Sequence, residues 1–134
     1  GKRIMKEVMD YATGIQHVGI PCKSIEETKE FYEKLGFYIK HEKTIRDGKQ
    51  KVCFLEYMGL VLECYEDEVA LKAGAIDHIA IDVNDIEGCY ALCKEQGYTI
   101  VSDGIEQLPF YDNGVRFFII LGPNNERLEF NEIL

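Results

Sequence analysis

The sequence predicts an α+β fold in which two βαβββ modules in tandem form a curved mixed sheet. The main observation is an internal repeat. The stretch "GIQHVGIPCKSIEETKEFYEKLGFYI", which begins at Gly14, recurs sixty-one residues later as "AIDHIAIDVNDIEGCYALCKEQGYTI". Each copy reads as an apolar strand, a capped helix, a glycine and a second strand. Two copies of one supersecondary unit indicate a domain with pseudo-twofold symmetry.

The first module covers residues 14–67 and opens with the strand "IQHVGIP". Ser24 then caps a helix, and Glu27 three residues later completes a capping box. Gly36 ends the helix, and the strand "GFYIKHEKTI" follows at once. The turn "RDGKQ" leads to the strand "KVCFLEY", and Gly59 leads to "LVLECYE".

The second module covers residues 75–134 and repeats this order. The strand "IDHIAIDV" precedes a helix that Asp85 caps and Gly97 ends. The strand "YTIVSD", a longer loop over residues 103–114, the strand "VRFFIIL", the turn "GPNNE" and the strand "RLEFNEIL" follow. The segment "LKAGA" joins the modules, so residues 14–134 are predicted to form a single domain.

Residues 1–13 precede the repeat and are interpreted as an N-terminal extension with a short helix. The reason is that apolar residues recur there at helical spacing. They are Ile4, Met5, Val8 and Met9. This helix is expected to pack on the domain or on a second subunit.

Composition excludes some classes of partner. The chain has 24 acidic and 15 basic residues and a net charge of −9, so it lacks the positive surface that drives nucleic-acid binding. No apolar run near 18 residues and no signal-peptide pattern is present, so no membrane association and a cytoplasmic location are expected. The five cysteines are odd in number and lack a CxxC motif, which favours reduced thiols.

A histidine and a glutamate recur together in the two modules. His17 and His78 occupy the same place in the two copies. Glu63 in "VLEC" aligns with Glu129 in "RLEF" when extra residues are allowed in the second module, three of them in the "GPNNE" turn. His41 has no counterpart in the second copy and is predicted to be a surface residue.

These four side chains predict a metal site. A single histidine in a strand is more often structural, and a single glutamate there usually faces solvent, but their joint recurrence favours a shared role. Because strand side chains alternate between faces, Glu63 can meet His17 on one face of the first module. The pseudo-twofold axis is expected to bring both pairs together. Two imidazoles and two carboxylates suit Ni²⁺, Co²⁺, Zn²⁺ or Mn²⁺.

The motifs resemble the vicinal-oxygen-chelate superfamily, and most closely the short bacterial form of glyoxalase I (lactoylglutathione lyase). The resemblance covers residues 14–134. It is carried by "HVGIP", "HIAIDV", the helix "SIEETKEFYEKLGF", "LVLEC" and "GPNNERLEF". The helix motif is common to the superfamily and indicates the fold rather than the reaction.

The resemblance implies that His17, Glu63, His78 and Glu129 hold one octahedral divalent ion that leaves two positions for water or substrate. Glu129 would also act as the catalytic base, with Glu63 as its counterpart. The implied reaction, part of methylglyoxal detoxification, isomerises the hemithioacetal of methylglyoxal and a thiol, glutathione or similar, to an S-2-hydroxyacyl thioester. A divalent ion stabilises the enediolate, and a carboxylate moves the proton. The resemblance further implies a homodimer.

The thiol-binding end departs from the family pattern. Glutathione-using relatives carry an arginine four residues after the first metal ligand and an asparagine four after the second. Here Pro21 and Asp67 stand at those places. Two explanations stay open: Arg116, or Lys and Arg residues of a second subunit, compensate, or the co-substrate is a thiol other than glutathione. Phe110, Tyr111 and Asn113 are further candidates for substrate contact, since loops beside a rigid site often carry specificity.

Three other functions share the predicted fold. Methylmalonyl-CoA epimerase has the same centre but typically a glutamine as its second ligand, where this chain has Glu63. An extradiol dioxygenase keeps three metal positions open, which a fourth protein ligand prevents. A drug-binding resistance protein uses the fold without the full set of ligands.

Overall fold

The structure is a computed structural model that describes residues 7–134. It confirms the predicted α+β fold class, with two helices and mixed sheets. The helices are α1 (Ile25–Leu35) and α2 (Ile86–Glu95), preceded by a 3-10 helix at Val8–Tyr11. The strands are β1 (Val18–Cys22), β2 (Tyr38–Ile45), β3 (Gln50–Tyr57), β4 (Leu60–Glu66), β5 (Ile79–Asp82), β6 (Thr99–Ile100), β7 (Glu106–Leu108), β8 (Val115–Leu121) and β9 (Arg127–Ile133).

Each module forms its own mixed sheet. The first sheet has the order β1-β4-β3-β2, and the second has the order β5-β9-β8-β6 with β7 paired to β8. The first strand of each module runs parallel to the last, and Gly19 pairs with Glu63 as Ala80 pairs with Glu129. The modules are therefore structural copies, but they form two separate sheets instead of one continuous sheet.

Both helices begin at the predicted caps. The Ser24 hydroxyl accepts a hydrogen bond from the Glu27 N–H at 3.2 Å, and the Asp85 carboxylate accepts one from the Gly88 N–H at 3.0 Å. Gly36 ends α1 in the left-handed region with φ 113°, a conformation that a side chain would disfavour.

Two parts of the chain differ from the prediction. A short strand, β7, forms inside the predicted loop over residues 103–114 and pairs with β8. At the N-terminus, Val8 and Met9 belong to the 3-10 helix and are 84% and 68% exposed, so they do not pack on the domain. Ile4 and Met5 lie outside the described residues.

The main hydrophobic core lies on the helix side of both sheets. Its largest fully buried members come from both modules and include Tyr32, Leu55, Phe118 and Leu128. All five cysteines are free thiols. Within residues 7–134, no helix is long and apolar enough to cross a membrane.

The "GPNNE" turn of the second module docks onto the first module. The buried Asn124 side chain accepts a hydrogen bond from the Lys23 N–H at 2.9 Å and donates one to the Thr28 hydroxyl at 3.1 Å. The Tyr32 hydroxyl donates to Glu126 at 2.8 Å. These contacts cross between modules, so they fix the orientation of one module against the other.

Asn124→Ala tests this joint. The substitution leaves the Lys23 N–H and the Thr28 hydroxyl without their partner, which costs about 1–3 kcal/mol of unfolding free energy. Urea denaturation measures this loss. Asn84→Ala, at an exposed position, is the matched control and is expected to change stability by less than about 0.5 kcal/mol. Equal stability of the two variants would contradict the role of Asn124.

Candidate metal centre

The first module brings His17 and Glu63 together. His17 lies immediately before β1, and Glu63 lies on β4, which pairs with β1. The His17 Nε2 atom is 3.7 Å from Glu63 Oε2. On the other side of the ring, His17 Nδ1 is 2.9 Å from the side-chain oxygen of Gln16.

The second module repeats this geometry with a charged partner. His78 Nε2 is 3.6 Å from Glu129 Oε1, and His78 Nδ1 is 2.9 Å from Asp77 Oδ2. The Arg127 Nε atom lies 3.3 Å from the same Asp77 oxygen. The hydrogen bond with His78, and then the charge of Arg127, lower the pKa of Asp77 below its usual value.

Each pair has the chemistry of half a metal site, and we call His17 with Glu63 and His78 with Glu129 the two half-sites. In each pair, the Nδ1 atom of the histidine faces an acceptor oxygen, so we assign the ring N–H proton to Nδ1. The Nε2 atom then carries the lone pair and points toward the glutamate. Separations of 3.6 and 3.7 Å are too long for a hydrogen bond. They do allow both atoms to contact one ion with ligand bonds of roughly 2.0–2.2 Å.

Within a single chain, the pair His17–Glu63 and the pair His78–Glu129 do not form one common site. Among residues 7–134, no group of three or more His, Cys, Asp or Glu side chains could hold a metal ion. Within one chain the two pairs stay apart, and their assembly into one site stays a prediction. The two pairs lie on separate sheets, and the buried contacts of Asn124 fix the orientation of one module against the other.

An open cavity of about 470 Å³ covers the face of the first sheet that carries Glu63. It is lined by Gly19, His41, Lys43, Ile45, Arg46, Gln50, Val52, Phe54, Glu63, Tyr65 and Asp67. His41 is exposed, as predicted, but its ring lies 6.0 Å from that of Phe54, which in turn lies 5.7 Å from His17. It thus belongs to the face of the candidate site.

The other predicted contact residues are placed differently. Asp67 lines the cavity with Glu63. Arg116 points to the opposite face of its sheet from Glu129 and pairs with Glu87 at 2.5 Å, and its contact with substrate stays a prediction. Its position on β8 alternates with the residues that face Glu129.

The loop candidates lie apart from both pairs. Phe110 and Tyr111 are 55% and 74% exposed. Tyr111 and Asn113 line a separate cavity of about 390 Å³ that contains none of the four predicted ligands. The single chain therefore gives them no contact with either half-site.

Sequence reasoning missed two groups of residues. Gln16 and Asp77 form hydrogen bonds with the Nδ1 atoms of the two repeated histidines. The sequence feature that could have identified them is a polar residue directly before each histidine. Lys43 and Arg46 line the cavity beside Glu63. No alternation marked them in the sequence, because a bulge between Ile39 and His41 changes the faces of β2.

The repeated half-sites agree with a family match over most of the chain. A profile of the glyoxalase/bleomycin resistance protein/dioxygenase superfamily matches residues 14–130. The chain belongs to this superfamily. Membership indicates metal-dependent vicinal-oxygen-chelate chemistry, and the superfamily includes enzymes.

Similar proteins cover nearly the whole domain. An uncharacterized protein of Bacillus subtilis (strain 168), YwbC, is 30% identical over 126 residues, 89% of this chain and 97% of its own. The structure of a glyoxalase family protein from Enterococcus faecalis is 26% identical in sequence and superposes with a TM-score of 0.74. The match covers 90% of this chain and 98% of the Enterococcus chain.

A third similarity concerns the fold alone. The fosfomycin resistance protein FosX from Listeria monocytogenes, in complex with Mn(II) and sulfate, is 14% identical with a TM-score of 0.72. The match covers 92% of this chain and 94% of the FosX chain.

Asp77→Ala tests the hydrogen bond that orients His78. Without the carboxylate, the His78 proton is expected to redistribute from Nδ1 toward Nε2, while His17 keeps its tautomer. Imidazole ¹⁵N chemical shifts of the metal-free protein report this directly. Asp82→Ala, at an exposed position on β5, serves as the control. An unchanged His78 tautomer in Asp77→Ala would refute the assignment.

Proposed function

We propose that the protein is a metal-dependent isomerase of the glyoxalase I type. Its substrate is the hemithioacetal of methylglyoxal and a thiol, and its product is the S-2-hydroxyacyl thioester. The observation that carries the proposal is the pair of equivalent half-sites, with Nε2 to carboxylate separations of 3.7 Å and 3.6 Å. His17, Glu63, His78 and Glu129 are the proposed ligands.

The proposed centre is completed by a second copy of the chain. Each half-site offers two ligands, fewer than the three or more protein ligands usual in a catalytic site. Within residues 7–134 the two half-sites do not form a common group of ligands, and the buried contacts of Asn124 hold the modules in this arrangement. In a twofold-symmetric dimer, the first module of each copy meets the second module of the other, which gives two complete sites.

The donor set suits Ni²⁺, Co²⁺, Zn²⁺ or Mn²⁺. The Mn(II) in FosX, which has the same fold, supports a divalent ion of this kind. When bound, the ion supplies Lewis-acid polarisation of two neighbouring substrate oxygens.

Glu129 is the proposed base. Its side chain is only 11% exposed, and the Asn131 amide donates to its Oε2 at 3.0 Å, so the carboxylate is held in one orientation. It takes the proton from the carbon that bears the sulfur and the hydroxyl, and the adjacent carbonyl carbon receives a proton. The reaction is a net isomerisation that needs no external oxidant or reductant. Glu63, with a 29% exposed side chain, is the counterpart on the opposite side.

Removal and return of the metal test the proposal. Chelation is expected to abolish turnover of methylglyoxal hemithioacetals, and at least one of Ni²⁺, Co²⁺, Zn²⁺ and Mn²⁺ is expected to restore it. Absorbance of the thioester product measures the rate for a panel of thiols. No turnover with any pair of ion and thiol, or turnover of methylmalonyl-CoA instead, would overturn the proposed reaction.

Glu129→Gln separates catalysis from folding. Loss of the proton acceptor is expected to lower kcat by roughly 10²–10⁴-fold. Both the kcat and the metal content of the variant are measured. Glu30→Gln, at an exposed position on α1, is the control and is expected to keep wild-type activity. A kcat within twofold of wild type for Glu129→Gln would exclude this residue as the base.

A further inference from the structure

We propose that Lys43 and Arg46 form an anion subsite beside the His17–Glu63 half-site, so that the thiol substrate carries a carboxylate or phosphate-type group. This inference rests on the proposed function, because it specifies the substrate of the same site. Both cations line the 470 Å³ cavity together with Glu63.

The strand register places Lys43 near the reacting centre. Phe54 pairs with His41 on one side and with Glu63 on the other, and these residues form one row across the sheet. Lys43 lies in the next row on the same face, where it pairs with Val52. Successive rows on one face are separated by about 7 Å along the strands. A substrate several bonds long can span that separation.

Arg46 is held at the end of the same face. Its Nε donates to the Gln50 side-chain oxygen at 2.8 Å. The Gln50 amide donates in turn to the Glu66 carbonyl at 2.9 Å. These bonds orient the guanidinium and leave its terminal nitrogens available for a planar anion, which arginine binds with two parallel hydrogen bonds.

The positive charge of both side chains is uncompensated. Within residues 7–134, neither Lys43 nor Arg46 forms an ion pair. Four other cations of this acidic chain are paired: Lys29 with Glu42, Lys40 with Glu56, Arg116 with Glu87 and Arg127 with Asp77. Free cations inside a cavity of a protein with net charge −9 favour an anionic ligand.

Two carboxylates share the cavity and limit where the anion can lie. Glu63 faces His17, and Asp67 accepts a hydrogen bond from the Glu68 N–H at 2.7 Å. Both lie on the β4 side of the cavity, so the anion is placed on the side of β2 and the turn that follows it.

The corresponding face of the second module is different. Val115, Phe117 and Ile119 form a small buried cluster on the Glu129 side of that sheet. Arg127 on that face is paired with Asp77. The first module thus offers the free positive charge, while the second offers apolar contacts.

This subsite explains the unusual residues at the thiol-binding end. Pro21 and Asp67 remove the cation and the amide that glutathione-using relatives place there. Lys43 and Arg46 supply positive charge from β2 and its turn instead. The substrate class is therefore the hemithioacetal of an acidic thiol whose anionic group lies several bonds from the sulfur.

The double substitution Lys43→Gln/Arg46→Gln tests the subsite. For the hemithioacetal of 6-mercaptohexanoate, whose carboxylate lies six bonds from the sulfur, KM is expected to rise at least tenfold. For that of the neutral 2-mercaptoethanol, kcat/KM is expected to stay within twofold of wild type. Lys51→Gln is the matched control, because Lys51 neighbours Val52 on β3 but does not line the cavity. Equal KM changes for both thiols, or none, would overturn the proposal.

A binding measurement keeps this test independent of the reaction. Calorimetry with 6-(methylthio)hexanoate, and separately with inorganic phosphate, measures anion binding even if no hemithioacetal is turned over. Binding of either probe by wild type, weakened at least tenfold in the double variant, supports the subsite and identifies the preferred anion. Binding of neither probe, or equal binding by wild type and double variant, refutes it.

Discussion

The placement of the hydrophobic core on one side of both sheets determines the rest of this structure. Both helices and the buried faces of both sheets contribute to this core, and the hydrogen bonds of Asn124 lock the modules together there. The opposite face of each sheet is left to carry a histidine and a glutamate. The joint at Asn124 is buried, and within one chain the two pairs lie on separate sheets.

Duplication explains why the two pairs are alike, and local sequence explains why they differ. The register of β1 on β4 is repeated by β5 on β9, so both glutamates face a histidine Nε2 atom at nearly the same separation. The neighbours are not repeated. An amide orients His17, whereas a carboxylate paired with Arg127 orients His78.

These differences suggest a division of roles between the modules. Glu129 is the more shielded carboxylate and is held by Asn131, which suits a group that moves a proton. Glu63 opens onto a cavity with unpaired cations, which suits substrate binding. A dimer that joins one module of each kind would combine both properties at each centre.

Local features of the fold could be predicted from the sequence, whereas contacts between distant residues could not. The caps Ser24 and Asp85 and the glycine after α1 act within a few residues, and their patterns are visible in the chain. The contact of Tyr32 with Glu126 joins positions far apart, and no periodicity signals it.

The face of β2 that carries His41 does not follow from the position of the core residue Ile39. The register shifts between Ile39 and His41 because of a bulge. Simple alternation would place both residues on one face, but the extra residue turns His41 and Lys43 to the side of Glu63. The cationic part of the cavity was therefore hidden from a count of alternating residues.

The shared centre is tested most directly by mixing His17→Ala with His78→Ala. Each variant alone lacks one ligand in both of its sites and is expected to be inactive. In a mixed dimer one site combines both defects, and the other keeps all four ligands. After complete subunit exchange, confirmed by mass spectrometry, random pairing gives half mixed dimers and about a quarter of wild-type activity. An exchanged mixture that stays as inactive as the separate variants would contradict a centre built from two chains.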